Sequence, residues 1–344
     1  MNFDYSEVYN ALSDDAVRRL QALGVGGADV NALANLSLEG VLAQLSQMAG
    51  DNLRSPLQAL ITLTAALLLC AMLSSYKTSL SSDVGDTVQT VTALCVSCAV
   101  ALPAIGFIRA AGDVITNAAN LFLAYIPVAV AMLAASGKAV SAASAQVWML
   151  AAGQGVARLS SGVILPLMNI FLGLSVTAGV SPEARLHGLT AMIAKAAKWL
   201  LTFAMAVFTA VLSVRGFAAN ALDSVTARAA RFALSSFVPL VGSALSEAYL
   251  TVQGSLHILK SGLGIFVILA IALTFLPLVL QGVGWSLCLL AGKAFAEMMG
   301  ITTCAALTEA LRMVFSTLLA VLLCAMSVFI IGTAAVFTIG GGSA

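Results

Sequence analysis

The side chains that could do chemistry are few in this sequence, and they lie far apart. The two histidines, His187 and His257, are isolated, and no metalloprotease, serine-hydrolase or nucleotide-binding motif is present. Cys95 and Cys98 have the spacing of a redox or zinc pair, but no second cysteine pair and no nearby histidine accompany them. We therefore predict that the protein is not an enzyme and has no catalytic, cofactor or metal site.

The densest group of polar residues next to apolar sequence lies between Arg215 and Glu247. Charged groups at membrane depth usually face water or a protein partner, whereas arginines at the membrane interface extend to the lipid headgroups. Both interpretations stay open here. The candidate residues for a passage or a partner-docking surface are Arg215, Gly216, Asp223, Thr226, Arg228, Arg231, Pro239, Gly242 and Glu247.

The amino-acid composition indicates the kind of secondary structure that positions these residues. Of the 344 residues, 60% are hydrophobic and 9% are charged, whereas about 25% of the residues in a soluble domain are charged. Long continuous apolar runs exclude a membrane β-barrel, whose strands alternate. The sequence therefore predicts an all-α, polytopic helical membrane protein in a lipid bilayer. The net charge of +1 gives no indication of nucleic-acid binding.

About seven transmembrane helices are predicted, because seven apolar runs reach roughly the 20 residues that a span needs. The predicted spans are 57–75, 88–108, 119–136, 161–180, 197–214, 262–290 and 313–338. Residues 139–157, rich in Ala and Ser, and residues 232–252, interrupted by Pro and Gly, are predicted to be broken, re-entrant or internally packed helices. The positive charges are balanced between the two sides, so they do not predict the orientation.

The polar residues 1–55 are predicted to form a short-helical N-terminal region, and residues 56–340 a transmembrane helical domain. Ser13 is followed by two acidic residues, which is typical of a helix start, and Gly24 is expected to end that helix. A second amphipathic helix is predicted to run from Ser37 to Gly50.

Several short motifs occur in a fixed order along the chain. They are Leu133–Gly137, Ala139–Ala143, Leu165–Leu167, Ser213–Gly216, Asp223–Phe232 and Phe237–Gly242. With these motifs the membrane region resembles the stage III sporulation protein AE family. Family members usually carry a His-Pro pair after the Ala- and Ser-rich motif, whereas this sequence has Ala145–Val147 at that place.

The resemblance implies a membrane component of the channel or export complex between mother cell and forespore in endospore-forming bacteria. The implied location is the mother-cell membrane around the forespore, with residues 1–55 facing the forespore. The implied partners are other proteins of the same operon, including an ATPase and ring-forming membrane proteins, and a forespore-side partner. We expect a homo-oligomer that lines or gates the passage. A small-molecule secondary transporter and a structural membrane anchor of the same complex remain as alternatives.

Overall fold

The computed structural model describes residues 6–25, 38–75, 82–180, parts of 188–208, and 242–341. Within these ranges the regular elements are helices and no strand occurs, which confirms the predicted all-α fold class. The helices are α1 (Ser6–Asn10), α2 (Asp14–Ala22), α3 (Leu38–Ser75), α4 (Ser82–Ala135), α5 (Ala139–Leu159), a π-helical turn (Ser160–Ile164), α6 (Leu165–Val180), α7 (Gly242–Met298) and α8 (Thr302–Gly341).

Helix α2 begins and ends as the sequence predicts. The Ser13 side-chain oxygen accepts a hydrogen bond from the Ala16 N–H at 3.4 Å, and two acidic residues occupy the first turn. The chain leaves the helix at Gly24, which has a φ of 78°. Ala16 and Leu20 are completely buried, and α2 packs against α7. The first polar helices of the chain are thus docked on the apolar bundle.

Helix α3 continues through Gly50, where the sequence predicts a helix end. It runs unbroken from Leu38 to Ser75, so it crosses the boundary drawn at residue 55, and the domain division remains a prediction. A glycine inside a helix costs only about 1 kcal/mol relative to alanine, and packing can offset that cost. Just after Gly50, Leu53 and Pro56 of α3 pack against Gly284 of α7. A Cβ atom on Gly284 would lie only 2.5 Å from the Leu53 side chain. The two helices therefore approach closely at a glycine.

Helix α4 joins two segments that the sequence analysis separated. The predicted spans 88–108 and 119–136 and the residues between them lie in one helix of 54 residues, about 80 Å long. Pro103 and Pro127 lie inside this helix without ending it. The predicted connector between the two spans is therefore wrong. Likewise, 139–157 and 161–180 follow one another as α5, the π-helical turn and α6.

Four helical segments of the described chain are long and apolar enough to cross a membrane. They are Leu94–Ala135, Ala139–Thr177, Gly262–Met298 and Thr303–Val336. The predicted count of about seven is not confirmed: 57–75 lies within α3, and 197–214 is only partly described. With 34 to 42 residues each, the four segments measure about 50–63 Å, whereas the hydrocarbon core is about 30 Å thick. Segments of this length that cross a bilayer tilt in the core or extend beyond it.

Tight glycine turns pair these helices as two antiparallel hairpins. Between α4 and α5, Gly137 has a φ of 77°, and the Lys138 N–H bonds the Leu133 carbonyl at 3.1 Å. The same hydrogen-bond pattern ends α7 at Gly300, which has a φ of 72°. This is the Schellman arrangement, and glycine adopts its left-handed backbone conformation without the steric penalty of a Cβ atom.

Aromatic side chains in the core join the two hairpins. Phe107 of α4 and Trp285 of α7 both contact Phe315 of α8, with ring centroids 5.3 Å and 5.0 Å away. Further along, Phe122 of α4 contacts Phe329 of α8 at 5.4 Å. Residue numbers rise together in these pairs, so α4 and α8 run parallel and α7 runs against both. These aromatic contacts define which residues of α4, α7 and α8 lie side by side along the bundle.

Candidate functional site

One face of α4 carries polar side chains at the middle of the candidate span Leu94–Ala135. Arg109, Asp113, Asn117 and Asn120 are all exposed. At 100° per residue they lie within an arc of about 80°. Buried residues lie on the opposite side of the helix, among them Ile108, Ala111, Ile115 and Ala118. Helix α4 is therefore packed on most sides and open along a polar stripe.

A second polar stripe follows α5 into the π-helical turn. Gln154, Arg158 and Ser161 are exposed and lie within an arc of about 60°. Ser161 donates a hydrogen bond to the carbonyl of Ala157 in its own helix at 2.9 Å. Arg158 lies at the middle of the candidate span Ala139–Thr177. Both helices of the first hairpin thus carry open polar residues at mid-length.

Contacts between the hairpin helices bring the two stripes to one level. A Cβ atom on Gly112 would lie 2.7 Å from Leu165, and one on Gly153 would lie 3.0 Å from Leu123. Arg158 falls between these two contacts, at about the level of Asn117 on α4. We call the combined set the polar band, and its residues are Arg109, Asp113, Asn117, Asn120, Gln154, Arg158 and Ser161.

Three side chains of the polar band carry charge, namely Arg109, Asp113 and Arg158. Within the described part of the chain, none of them forms an ion pair. A charged residue at the bilayer centre costs about 2.5–3.5 kcal/mol on insertion scales, so such residues face the bundle interior, water or a partner. In the single chain these three side chains are exposed.

The helix changes its winding directly beside the polar band. In the turn Ser160–Ile164 the Leu165 N–H bonds the carbonyl of Ser160, five residues back. Pro166 follows and has no N–H to continue the α-helical pattern. Single π-helical turns inside α-helices often occur at functional sites. This turn therefore adds a second reason to regard the polar band as functional.

Charges near the turn between α7 and α8 satisfy one another, unlike those of the polar band. The Glu309 carboxylate accepts hydrogen bonds from Arg312 Nη2 at 2.5 Å and from Arg312 Nε at 2.9 Å. Lys293 Nζ lies 3.5 Å from a Glu309 oxygen and 3.8 Å from a Glu297 oxygen. A bidentate arginine–carboxylate pair is a strong and specific contact. This cluster stabilises the second hairpin.

The cysteine and acidic side chains in the ranges that the structure covers form no cluster typical of a metal site. Cys95 and Cys98 are exposed, whereas Cys288 and Cys304 are buried. No group of three or more His, Cys, Asp or Glu residues there is arranged to hold a metal ion. What the polar band offers chemically is hydrogen bonding and charge.

Comparison with known proteins gives the family. The family model described as stage III sporulation protein AE matches residues 30–340 of the chain. This chain belongs to the stage III sporulation protein AE family. The protein of that name from Bacillus subtilis (strain 168) is 30% identical over 158 residues, which are 46% of this chain and 40% of that relative. The chain thus matches less than half the length of that relative, and no solved structure matches it.

Membership of the stage III sporulation protein AE family agrees with the resemblance inferred from the sequence. The family's description names a stage of sporulation and no reaction. Together with four helices long and apolar enough to cross a membrane, it indicates a membrane protein of sporulation.

Most of the site predicted from the sequence of this family member lies outside the described residues. This holds for Arg215, Gly216, Asp223, Thr226, Arg228, Arg231 and Pro239. Gly242 is the first residue of α7, and Glu247 lies in its first turns. That this segment forms a passage or a docking surface therefore stays a prediction.

The apolar runs do not predict the α4 part of the polar band. Arg109, Asp113 and Asn117 fall between the predicted spans 88–108 and 119–136, and Asn120 falls at the start of the second. The signal was present in the spacing: Arg109, Asp113, Asn117 and Asn120 follow one another at intervals of four, four and three residues. This is the period of one helix face, whereas a loop has no such period.

Proposed function

We propose that this protein is a membrane component of a passage between mother cell and forespore, and that its polar band faces that passage. The observation that carries the proposal is the open position of Arg109, Asp113 and Arg158 at the middle of two candidate spans. Channels use charged side chains and hydrogen-bonding groups along the pore to select what passes. Unpaired charges at this depth are costly unless they face water, and a passage supplies that water.

The proposed passage needs more than one protein chain. The described helices leave the polar band uncovered on one side, so further protein must close the wall. In the proposed assembly several copies of this chain surround one axis, since rotational symmetry turns the same face of every copy toward it. The expected neighbours are the products of the same operon, including an ATPase and ring-forming proteins, and a partner on the forespore side. The expected location is the mother-cell membrane around the forespore.

A small-molecule secondary transporter is the second candidate, because Asp113 lies near the middle of α4 and not at a span end. Secondary transporters often bind the coupling ion or proton at a carboxylate near the membrane midplane. A transporter requires the ionisable carboxylate itself, so Asp113→Asn abolishes its activity. The wall of a passage requires polarity, so Asp113→Asn is tolerated and Asp113→Leu is not. A purely structural anchor tolerates both substitutions.

Thiol accessibility tests the proposed passage directly. Asn117→Cys places a thiol in the polar band, and Leu69→Cys places one on α3, where Leu69 is 63% exposed among apolar residues. Both are made in a chain whose native cysteines are replaced. In sporulating cells a water-soluble thiol reagent labels the first position much faster, because thiol reactivity depends on the thiolate, which forms in water and not in lipid. Equal labelling, or none at Asn117→Cys, would contradict a water-filled passage.

A further inference from the structure

An apolar cavity lies beside the first hairpin, on the side of α5 that faces α8. Its volume is about 490 Å³, and it is lined by α5, the π-helical turn, α8 and the residues Leu200, Phe203, Ala204, Val207 and Phe208. This volume is within the range of about 300–1,000 Å³ that small-molecule sites show. Representative lining residues are Trp148, Gly155, Leu159, Phe203, Cys324 and Val328.

The chemistry of the lining restricts the ligand class. Apart from Ser160 and the Cys324 thiol, every lining side chain is a hydrocarbon or an aromatic ring. None of the described lining residues carries a charged group that could bind a phosphate, a carboxylate or an ammonium group. This lining therefore binds hydrocarbon and supplies no charged partner for a polar headgroup.

The cavity opens toward apolar surroundings. Three of its lining residues are strongly exposed, with Val147 57%, Phe203 55% and Val207 47% accessible. The helices that form it include the candidate spans Ala139–Thr177 and Thr303–Val336. Where these segments cross a bilayer, the medium at such an opening is hydrocarbon, so a lipid tail reaches it without crossing water.

The length of the cavity also fits a lipid tail. Along α5 its lining runs from Val147 to Leu159, which is about 18 Å at 1.5 Å per residue. One leaflet contributes about half of the 30 Å hydrocarbon core, so a single tail extends about 15 Å. An aliphatic tail in one leaflet therefore has about the length of the cavity.

From these observations we propose that the cavity binds one acyl chain of a membrane phospholipid, independently of its headgroup. The acyl chain is bound because its methylene groups are buried between α5 of the first hairpin and α8 of the second hairpin. Bound there, it joins the two hairpins at the level of the π-helical turn. The site is separate from the polar band and does not depend on the proposed passage.

Photo-crosslinking of the full-length protein in phospholipid vesicles tests this site. The vesicles contain a phosphatidylcholine probe with a diazirine at the end of one acyl chain, or the corresponding phosphatidylglycerol probe. The adducts are mapped by mass spectrometry of peptides. The expected result is labelling concentrated on the lining residues of α5 and α8 and equal for the two headgroups.

Gly155→Leu is the decisive variant, with Gly173→Leu on α6 as its matched control. A Cβ atom at either glycine meets nothing within 4 Å, so both variants are expected to fold, but only Gly155 lines the cavity. Gly155→Leu should lower cavity labelling by about tenfold, which corresponds to losing the burial of about two methylene groups. Gly173→Leu should leave it unchanged, and thermal melting verifies that both variants are folded.

Three outcomes would overturn the proposal. The first is labelling spread evenly over the exposed apolar surface. The second is labelling of the cavity that Gly155→Leu does not reduce. The third is a disulfide-linked dimer formed by Gly155→Cys together with absent lipid adducts, which would assign the cavity to a second copy of the chain.

Discussion

Arg19 donates a hydrogen bond from a guanidinium nitrogen to the backbone carbonyl of Leu273 at 3.2 Å, although 254 positions separate the two residues. In an α-helix this carbonyl would accept the N–H four residues later. That residue is Pro277, which has no N–H. Arg19 of α2 therefore binds the carbonyl that the proline leaves free in α7, in the way that neighbouring groups satisfy free carbonyls at prolines of membrane helices.

This contact explains how a charged side chain is accommodated against an apolar bundle. Burial lowers the pKa of Arg19, and the nearby Asp15 carboxylate partly opposes that effect. The guanidinium nevertheless stays protonated, because arginine does not lose its proton in proteins. Arg19 is thus a permanent, charged donor, and such hydrogen bonds contribute about 1.5–3 kcal/mol.

We predict that Arg19→Ala lowers the free energy of unfolding by about 1.5–3 kcal/mol, because the Leu273 carbonyl loses its donor. Arg18→Ala is the control: Arg18 is exposed and pairs with the exposed Asp15 at 2.7 Å, so its loss should cost less than about 1 kcal/mol. Both are measured by thermal melting of the purified protein in detergent.

A mutant cycle with Pro277→Ala tests whether Arg19 acts through this carbonyl. Alanine at position 277 restores the N–H, so Arg19→Ala should then be nearly harmless, with a coupling energy of about 0.5–3 kcal/mol. If the two effects simply add, Arg19 stabilises the protein by another route.

We predict that Asp113→Leu abolishes spore formation while the amount of protein in the membrane stays normal, because an exposed polar position gains an apolar side chain. Asp113→Asn should preserve most spore formation, since the amide still forms hydrogen bonds with water. Asp51→Leu, at an exposed carboxylate of α3 outside the polar band, is the control and should sporulate normally. The readouts are spore counts and immunoblots, and a loss of protein with Asp113→Leu would assign Asp113 a role in folding.

We predict that Gly284→Val is strongly destabilising. A Cβ atom there would lie 2.5 Å from the Leu53 side chain and 3.2 Å from the rigid ring of Pro56. Overpacking of this kind costs about 1–3 kcal/mol. Gly173→Val carries the same intrinsic helix cost without neighbours within 4 Å, so it isolates the steric effect. Equal melting temperatures for the two variants would show that α3 and α7 do not pack through Gly284.

We predict that the segment from Arg215 to Glu247 serves passage or docking. Asp223→Asn, Arg228→Ala and Pro239→Ala are the test variants, scored by spore formation and by membrane levels of the protein. The expected result is loss of spores at unchanged protein level, because removal of a charge or a proline there alters contacts with the passage or a partner. Normal sporulation in all three variants would remove the segment from the candidate site, and loss of the protein would make its role structural.

Composition and end signals were sufficient to predict part of this fold. The apolar share predicted helices in a membrane, and Ser13 and Gly24 predicted both ends of α2, because capping is decided by neighbouring residues. The continuity of α4 was not predicted, since a polar stretch between apolar runs has the same composition in a loop and in a helix with one polar face. Only packing of the other faces separates the two cases, and that packing comes from distant residues.

The partner of Arg19 was equally beyond the reach of the sequence. The proline at position 277 predicts a free carbonyl at Leu273, but nothing in the neighbouring sequence predicts its donor. The donor comes from a helix more than two hundred residues earlier in the chain. Contacts of this type depend on the tertiary arrangement and not on local pattern.

The parallel course of α4 and α8 has a consequence for membrane topology. The turn at Gly137 follows the end of α4, whereas the turn at Gly300 precedes the start of α8. In a membrane that both hairpins cross, the two turns therefore emerge in different compartments. The two connecting turns then lie on opposite sides of the bilayer. A single copy of the protein presents a three-residue turn to each compartment.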